Sequence, residues 1–248
     1  MTAFRILLAD DHPVFRMGLC SLIGSHESWE VCGEVADGRE AVEKCRQLKP
    51  DLLILDICLP KLNGLDAARQ ILRHNPGQRI LVVTNVESEQ VIRDCLQAGV
   101  CGWIFKSDET RDLTAAIEAM QRYRSTFSSR VCDLIPTFYQ QRRRTGLAAA
   151  MPPTLSPRER EVVQLVGEGE TSKEIAVLLG VTLKTVETHR SNIMLKLQLH
   201  STVELVLYAV RNEIVHVQLP AKVLRVSQNR NGRPDMAFMP LFENCRLP

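Results

Sequence analysis

The sequence lacks three patterns that are typical of membrane and secreted proteins. No apolar run approaches about 18 residues, so we expect no transmembrane helix. The first residues lead directly into a strand-like segment, without the basic and then apolar pattern of a signal peptide. None of the eight cysteines forms a Cys-x-x-Cys pair, and most lie in apolar stretches. We therefore expect reduced thiols and a cytoplasmic protein with no membrane partner.

The charge is unevenly distributed along the 248 residues, although the net charge is only +2. Residues 1–124 contain 15 Lys or Arg and 18 Asp or Glu, whereas residues 125–248 contain 16 and 11. This imbalance favours metal or phosphate chemistry in the first half and a polyanionic partner for the second. Ordinary scatter of surface charge would give a similar imbalance. The length allows two domains of ordinary size.

Short apolar runs alternate with helix-period segments in residues 3–123. The runs lie at residues 4–9, 29–36, 52–55, 80–83 and 102–105. Between them, apolar residues recur at helical spacing, as in Leu65, Ala68, Ile71 and Leu72. Five strands separated by helices predict an α/β doubly wound domain, whose five-stranded parallel sheet is covered on both faces.

Polar residues end four of these runs: Asp10 with Asp11, Asp56, Thr84 and Lys106. Because ligands bind at the carboxyl ends of parallel strands, we expect these side chains to converge. Three neighbouring carboxylates call for a divalent cation, and oxygen ligands favour Mg²⁺. Asp56 could then attack phosphorus and form an acyl phosphate, with Lys106 offsetting charge and Thr84 reaching the phosphoryl group. Taken singly, such an Asp is often only a turn former or a helix cap.

Four motifs in this half resemble the receiver domain of bacterial two-component response regulators. They are Ala9-Asp10-Asp11-His12, Leu55-Asp56-Ile57-Cys58-Leu59-Pro60 with Asn63-Gly64, Val83-Thr84, and Trp103-Ile104-Phe105-Lys106. The resemblance implies a flavodoxin-like fold with strand order 2-1-3-4-5. It also implies that Asp11, Asp56 and the backbone carbonyl of Cys58 hold Mg²⁺, that Asp10 helps through water, and that a sensor histidine kinase supplies the phosphoryl group.

Three positions depart from the commonest receiver pattern. Trp103 stands where receivers usually carry Tyr, Phe or His, the aromatic residue that rotates inward on activation. Asn85 follows Thr84 where a small residue is usual, and Cys58 replaces a commoner Met or polar residue. We expect these changes to alter the lifetime of the phosphorylated state rather than to abolish phosphorylation.

Residues 124–151 are predicted to form a linker. Ser128 is predicted to cap a short helix through Val131, Leu134 and Ile135, which Pro136 would break or kink. The arginines at 142–144 fit either a solvated charge run or a contact with DNA phosphates. Pro152 and Pro153 then indicate a connection of limited flexibility.

Residues 152–216 carry the start and stop signals of four short helices. Capping-box patterns begin at Ser156, Thr171 and Ser201. Gly180 closes one helix, and Thr182 caps the next. A turn this short with a central glycine predicts a helix-turn-helix within an all-α four-helix domain.

The helix after Thr182 has one apolar and one polar face. Val186, Ile193 and Leu197 are predicted to pack inward. The opposite face suits the major groove, although a generic surface helix would show the same stripe. Residues predicted to reach base edges are Lys184, Glu187, Thr188 and Ser191, and those predicted to contact phosphates are Thr185, Arg190 and Lys196.

Leu155-Ser156-Pro157-Arg158-Glu159, Lys173-Glu174-Ile175-Ala176 and Lys184-Thr185-Val186-Glu187-Thr188-His189-Arg190 resemble the LuxR-type DNA-binding domain. With the receiver, this is the pairing of NarL/FixJ-type response regulators. The resemblance implies that Lys173 and Thr182 also belong to the DNA interface. It implies a homodimer on phosphorylation, which reads two half-sites of double-stranded promoter DNA. The predicted dimer contacts are Val203, Leu205, Val206 and Ala209. Residues 217–248 are predicted to be a poorly ordered tail.

Two other functions compete with that of a phosphorylation-controlled transcriptional regulator. The first is a phosphatase or phosphotransferase that uses Asp56 as its nucleophile. The haloacid-dehalogenase type needs a second Asp two residues later, where Cys58 stands, so we expect no enzyme. The second is a regulator whose receiver only mediates protein contacts. The complete set of carboxylates with Lys106 and Thr84 argues against it, whereas Trp103 and Asn85 leave it open.

Overall fold

The computed structural model describes residues 3–132 and 155–215, which belong to one compact unit. Most of the predicted linker, including the arginines at 142–144, lies outside the described residues. The predicted tail at 217–248 also lies outside them. Within the described residues, no single helix is long and apolar enough to span a membrane, and one pair of helices would qualify only together, with a bend of 70° between them.

A parallel sheet forms the centre of the N-terminal domain. Its strands are β1 (Phe4–Ala9), β2 (Trp29–Val35), β3 (Leu52–Leu55), β4 (Arg79–Thr84), β5 (Gly102–Phe105) and β6 (Thr126–Phe127). Their order is β2-β1-β3-β4-β5-β6, which confirms the predicted order of the first five strands. The sheet has six strands rather than the predicted five, because β6 adds to its edge from within the predicted linker. A two-residue strand is too short to show a period of its own in the sequence.

Five helices cover the two faces of this sheet: α1 (Pro13–Gly24), α2 (Gly38–Leu48), α3 (Gly64–His74), α4 (Glu89–Ala98) and α5 (Thr110–Gln121). Three of these helices have a side-chain N-cap, because Asp37, Asn63 and Ser88 each accept a hydrogen bond from a backbone N–H in the first turn. Gly99 ends α4 in the left-handed conformation, with φ of 101°. Separate apolar clusters fill the two sides of the sheet.

The strand register brings the polar residues to one edge. Ala9 pairs with Leu55, and Leu55 pairs with Val82, so β1 and β3 end level with each other. The Asp56 N–H then donates to the Ala9 carbonyl at 2.9 Å, and the Lys106 N–H donates to the Thr84 carbonyl at 2.9 Å. The predicted convergence of strand ends is therefore present in the backbone.

A short helix, α6 (Ser129–Cys132), follows β6 at the predicted position, and its predicted continuation lies outside the described residues. The predicted cap is absent, because the Ser128 hydroxyl has no hydrogen-bond partner among the described residues. The four predicted helices of the C-terminal domain are α7 (Pro157–Gly167), α8 (Ser172–Leu179), α9 (Leu183–Leu197) and α10 (Thr202–Arg211). Ser156 and Thr171 form full capping boxes, and Gly180 is left-handed, with φ of 62°. Ser201 forms only half a box, because Glu204 accepts from the His200 N–H instead.

All seven cysteines in the described residues are free thiols. Cys45 and Cys95 are buried, four others are half-buried, and Cys132 is exposed. That the thiols are reduced in the cell stays a prediction. Of these seven cysteines, only Cys45 and Cys95 lie fully in the core, where the apolar stretches around them predicted most of the cysteines to be.

Candidate functional sites

Four side chains gather at the carboxyl edge of the sheet. Ligand atoms of Asp10, Asp11, His12 and Asp56 all lie within 4.8 Å of one another. The chain places them there because Asp10 and Asp11 follow β1 while Asp56 follows β3. His12 was not predicted as a member, although it directly follows the two aspartates; its Nδ1 lies 2.8 Å from Asp11 Oδ1.

Lys106 connects two of these carboxylates. Its Nζ lies 2.6 Å from Asp56 Oδ2 and 2.7 Å from Asp10 Oδ2. The three side chains are only 7%, 2% and 3% exposed, so each charge depends on the others for compensation. We call Asp10, Asp11, His12, Asp56 and Lys106 the rim site.

Burial and pairing act in opposite directions on the ionisation of this group. Burial alone would lower the pKa of Lys106, but the carboxylates of Asp56 and Asp10 outweigh it and raise that pKa above its ordinary value. Burial raises the pKa of Asp10, against the opposing effect of the Lys106 ammonium. Lys106 is therefore the group that stays charged, and it is the fixed cation of the rim site.

The oxygen-rich composition of the rim site fits a hard divalent cation. Three carboxylates supply most of the donors at this spacing, and such ligands suit Mg²⁺ or Ca²⁺ better than a soft metal. Two of the three carboxylates are nearly inaccessible to water. A bound cation would reduce the repulsion between them that Lys106 alone offsets only in part.

Thr84 and Cys58 lie together beside Asp56. Thr84 is fully buried, and its hydroxyl accepts a hydrogen bond from the Val86 N–H at 3.3 Å. The Thr84 hydroxyl also lies near the Cys58 thiol. Burial, together with the negative charge of Asp56, raises the pKa of Cys58 to about 12, so the thiol stays protonated. Asn85 is exposed.

Trp103 is the largest fully buried side chain. Its ring packs edge-on against Phe105, with centroids 6.3 Å apart. The indole Nε1 has no hydrogen-bond partner among the described residues, although a buried donor normally has one. The ring at this position is therefore in the core, where it leaves one polar group unsatisfied.

The polar face of α9 is open to solvent. Lys184, Glu187, Thr188 and Ser191 are all exposed, and we call these four residues the reading face. On the opposite side Val186 and Ile193 are completely buried, as predicted, while Leu197 is half-buried. The amphipathic orientation of this helix is thus confirmed.

The residues predicted to contact phosphates are partly engaged within the domain. Arg190 donates to the hydroxyls of Ser172 and Thr202 at 2.8 and 3.0 Å. Lys196 pairs with Glu159 at 2.9 Å. The Thr182 hydroxyl, which caps α9, accepts from the Thr185 N–H. Lys173 is exposed near the start of α8.

The predicted dimer surface on α10 needs correction. Leu205 and Ala209 are 1% and 0% exposed, because they pack into the core of their own domain. They do not lie on a surface that a second copy could contact. Val203 is 69% exposed and Leu207 is 46% exposed, while Val206 is half-buried. The apolar side chains of α10 that remain accessible include Val203, Val206 and Leu207.

Comparison with known proteins assigns both halves of the chain. Residues 6–118 match the response regulator receiver domain family, and residues 153–209 match the luxR family of bacterial regulatory proteins. The response regulator protein VraR of Staphylococcus aureus (strain NCTC 8325 / PS 47) is 32% identical over 211 residues, which cover 85% of this chain and 98% of VraR.

Solved structures of response regulators also match the chain. RcsB from Salmonella enterica serovar Typhimurium, bound to promoter rprA with phosphomimetic BeF3-, matches with a TM-score of 0.53 and 26% identity, over 84% of this chain and 98% of RcsB. A LuxR-family two-component response regulator from Aurantimonas sp. SI85-9A1 matches with a TM-score of 0.51 and 33% identity, over 57% of this chain and 99% of that one. The chain belongs to the NarL/FixJ-type two-component response regulators, in which a receiver domain precedes a LuxR-type DNA-binding domain.

Proposed function

We propose that Asp56 accepts a phosphoryl group from a cognate sensor histidine kinase, and that this step controls promoter binding by the C-terminal domain. The observation that carries the proposal is the position of Lys106, whose ammonium bridges Asp56 and Asp10 at a buried strand edge. This arrangement places a carboxylate nucleophile beside a cation that can offset the charge of the incoming phosphoryl oxygens.

In the proposed reaction, a carboxylate oxygen of Asp56 attacks the phosphorus of the kinase phosphohistidine. The new O–P bond forms as the P–N bond breaks, and the imidazole leaves. Lys106 would then exchange one of its carboxylate contacts for a phosphoryl oxygen. The Thr84 hydroxyl, which now accepts from the Val86 N–H, lies on the same edge and would donate to another phosphoryl oxygen.

We propose that the carboxylates of Asp10, Asp11 and Asp56, together with the backbone carbonyl of Cys58, hold Mg²⁺. When bound, Mg²⁺ offsets the repulsion among the carboxylates and the charge of the phosphoryl oxygens. The three carboxylate groups within one small cluster support this assignment. A metal-dependent thermal shift would test it without phosphorylation, with Asp11→Asn as the variant expected to bind Mg²⁺ more weakly.

Output from the rim site is proposed to pass through Thr84 and Trp103 to the helices beside β5. The DNA-binding domain would then pair with a second copy through Val203, Val206 and Leu207 and present two reading faces to promoter DNA in the bacterial cytoplasm. The structures of RcsB dimers on DNA support this arrangement for a relative. Hydrolysis of the acyl phosphate would reset the switch, so the protein is a regulator rather than an enzyme with a separate substrate.

DNA binding with and without phosphorylation tests the proposal. Acetyl phosphate with Mg²⁺ is expected to raise the affinity of the full chain for its promoter DNA, with the target found by selecting bound genomic fragments. Asp56→Asn should retain weak binding but lose the response to acetyl phosphate. Equal affinity of the wild-type chain under both conditions would contradict the proposed control.

A further inference from the structure

Helix α7 of the DNA-binding domain carries two polar side chains that are buried against the receiver domain. Gln164 is 1% exposed, and Glu161 is 7% exposed. Glu161 accepts from Arg39 of the receiver at 2.9 Å and from Gln70 at 3.1 Å. Polar groups withdrawn from water need compensating hydrogen bonds. The hydrogen bonds of these two side chains are therefore the main polar contacts to consider between the two domains.

The side-chain amide of Gln164 forms hydrogen bonds to the loop that joins β3 to α3. This loop comprises residues 56–63 and begins with Asp56, and we call it the phosphoacceptor loop. Its Nε2 donates to the Leu59 carbonyl at 3.1 Å and to Glu168 at 2.7 Å. Its Oε1 accepts from the backbone N–H of Asn63 at 2.7 Å and from the Asn63 side chain at 3.2 Å. A glutamine amide can donate two hydrogen bonds and accept two, so this one is fully used.

Two further contacts hold the same loop against α7. Glu168 accepts the backbone N–H of Lys61 with both carboxylate oxygens, at 3.1 and 3.2 Å. Lys61 has a left-handed φ of 62°, a conformation that needs support in a residue other than glycine. Just beyond the loop, Arg160 of α7 pairs with Asp66 in the first turn of α3 at 3.1 Å. We call Arg160, Gln164 and Glu168 the α7 clasp.

The loop is also packed tightly against the backbone of the proposed phosphoacceptor. A Cβ atom added at Gly64 would lie 2.0 Å from the Asp56 carbonyl oxygen. A Cβ atom added at Gly38 would lie 1.7 Å from the Leu62 carbonyl oxygen. These close backbone contacts, together with the hydrogen bond from the Gly64 N–H to the Ile57 carbonyl at 2.9 Å, tie the end of the loop to its start, so a displacement of the loop is expected to move the backbone of Asp56.

We propose that the α7 clasp restrains the phosphoacceptor loop, so that the docked DNA-binding domain slows phosphorylation of Asp56. The proposal rests on the proposed function of Asp56. The Asp56 side chain is only 2% exposed, and a phosphodonor therefore reaches it only when neighbouring segments move. The loop that begins at Asp56 is held by the clasp at three of its backbone groups. The reading face stays exposed while the clasp is closed, so the clasp acts on the phosphoacceptor and does not cover the reading helix.

The rate of acetyl phosphate labelling of the full chain tests this role. Here Asp56 attacks the phosphorus, acetate leaves, and phosphoaspartate forms. Gln164→Ala and Arg160→Ala should each raise the labelling rate, and the double variant should raise it about tenfold, since each lost hydrogen bond contributes modestly. Gln164→Glu keeps the side-chain volume but loses both donors beside Glu168, so it should behave like Gln164→Ala. The matched control is Gln47→Ala, on the exposed face of α2.

Hydrogen exchange of the same variants separates this proposal from the function of Asp56. The amides of Lys61 and Asn63 should exchange faster in the clasp variants, while amides in the centre of β3 keep their protection, which shows that the receiver is still folded. Unchanged exchange at Lys61 and Asn63, or unchanged labelling despite faster exchange, would overturn the proposal. Absence of labelling in every chain would overturn the function proposed for Asp56 and the rate effect with it.

Discussion

The rim site and the reading face use their polar side chains in opposite ways. At the rim site, Lys106 and two aspartates are buried and satisfy one another, so the site is organised before any ligand arrives. On α9, the polar side chains of the reading face point into solvent. Substitutions at the rim site should therefore change both stability and function, whereas those on the reading face should change binding alone.

The largest effect is expected for Lys106→Met. It leaves Asp10 and Asp56 buried together without their cation, and breaking such a buried pair costs about 3 kcal/mol or more. Urea denaturation at neutral pH should show this loss in the free energy of unfolding. The deficit should shrink in acid, where protonation of one carboxylate removes the repulsion. A stability equal to that of the wild type at neutral pH would show that the ion pair has no structural role.

Lys184→Ala should separate binding from stability on the reading face. Loss of a base contact costs about 1–3 kcal/mol of specific binding, which corresponds to an affinity roughly 5- to 150-fold weaker. The free energy of unfolding should change by less than about 0.5 kcal/mol, because the side chain is exposed. Lys44→Ala, an exposed lysine of α2, is the control for net charge, and it should leave both quantities unchanged. Equal losses of affinity in the two variants would indicate a non-specific charge effect.

Arg190→Ala tests a residue of α9 that lies outside the reading face and contacts the neighbouring helices. Its guanidinium joins α9 to Ser172 of α8 and to Thr202 of α10. We expect a loss of about 1 kcal/mol in the free energy of unfolding, since two net hydrogen bonds disappear. DNA affinity should also fall. Weaker DNA binding with an unchanged free energy of unfolding would show that Arg190 acts in DNA binding, like the reading face, and does not stabilise the domain.

The smallest effect concerns Glu159 in the first turn of α7. Burial would raise its pKa, but Ser156 and the Lys196 ammonium outweigh this and hold the pKa below its ordinary value of 4.5. Because the folded pKa is lowered, the stabilisation is present above pH 4.5 and is lost as the pH falls through the folded pKa. The stability difference between wild type and Glu159→Gln should therefore narrow as the pH falls from about 5 through the folded pKa of Glu159. A difference that stays constant over this range would exclude a titrating carboxylate as its source.

Features that follow from one regular property of a strand or a helix could be predicted from the sequence. The rim site could be predicted because parallel strands end at one edge, which brings Asp10, Asp56 and Lys106 together. The inward side of α9 followed from helical periodicity. On α10 the same periodicity was ambiguous, since an apolar stripe serves a domain core and a dimer surface equally well. Leu205 and Ala209 turned out to belong to the core.

Other features depend on contacts between distant segments and left no local signal. Strand β6 pairs with β5 from beyond a complete helix. Gln164 lies 101 residues from its partner Asn63, and a glutamine on an amphipathic helix looks like an ordinary surface residue in sequence. His12 had a weak signal, since it directly follows the two aspartates of the rim site.

The most direct test of the account is to locate the phosphoryl group. The full chain is incubated with acetyl phosphate and Mg²⁺, and the modified residue is identified by tandem mass spectrometry. We predict one added phosphoryl group on the peptide that contains Asp56 and none in Asp56→Asn, which keeps the size of the side chain. A phosphoryl group on another residue, or none in the wild-type chain, would contradict the assignment of Asp56 as the phosphoacceptor.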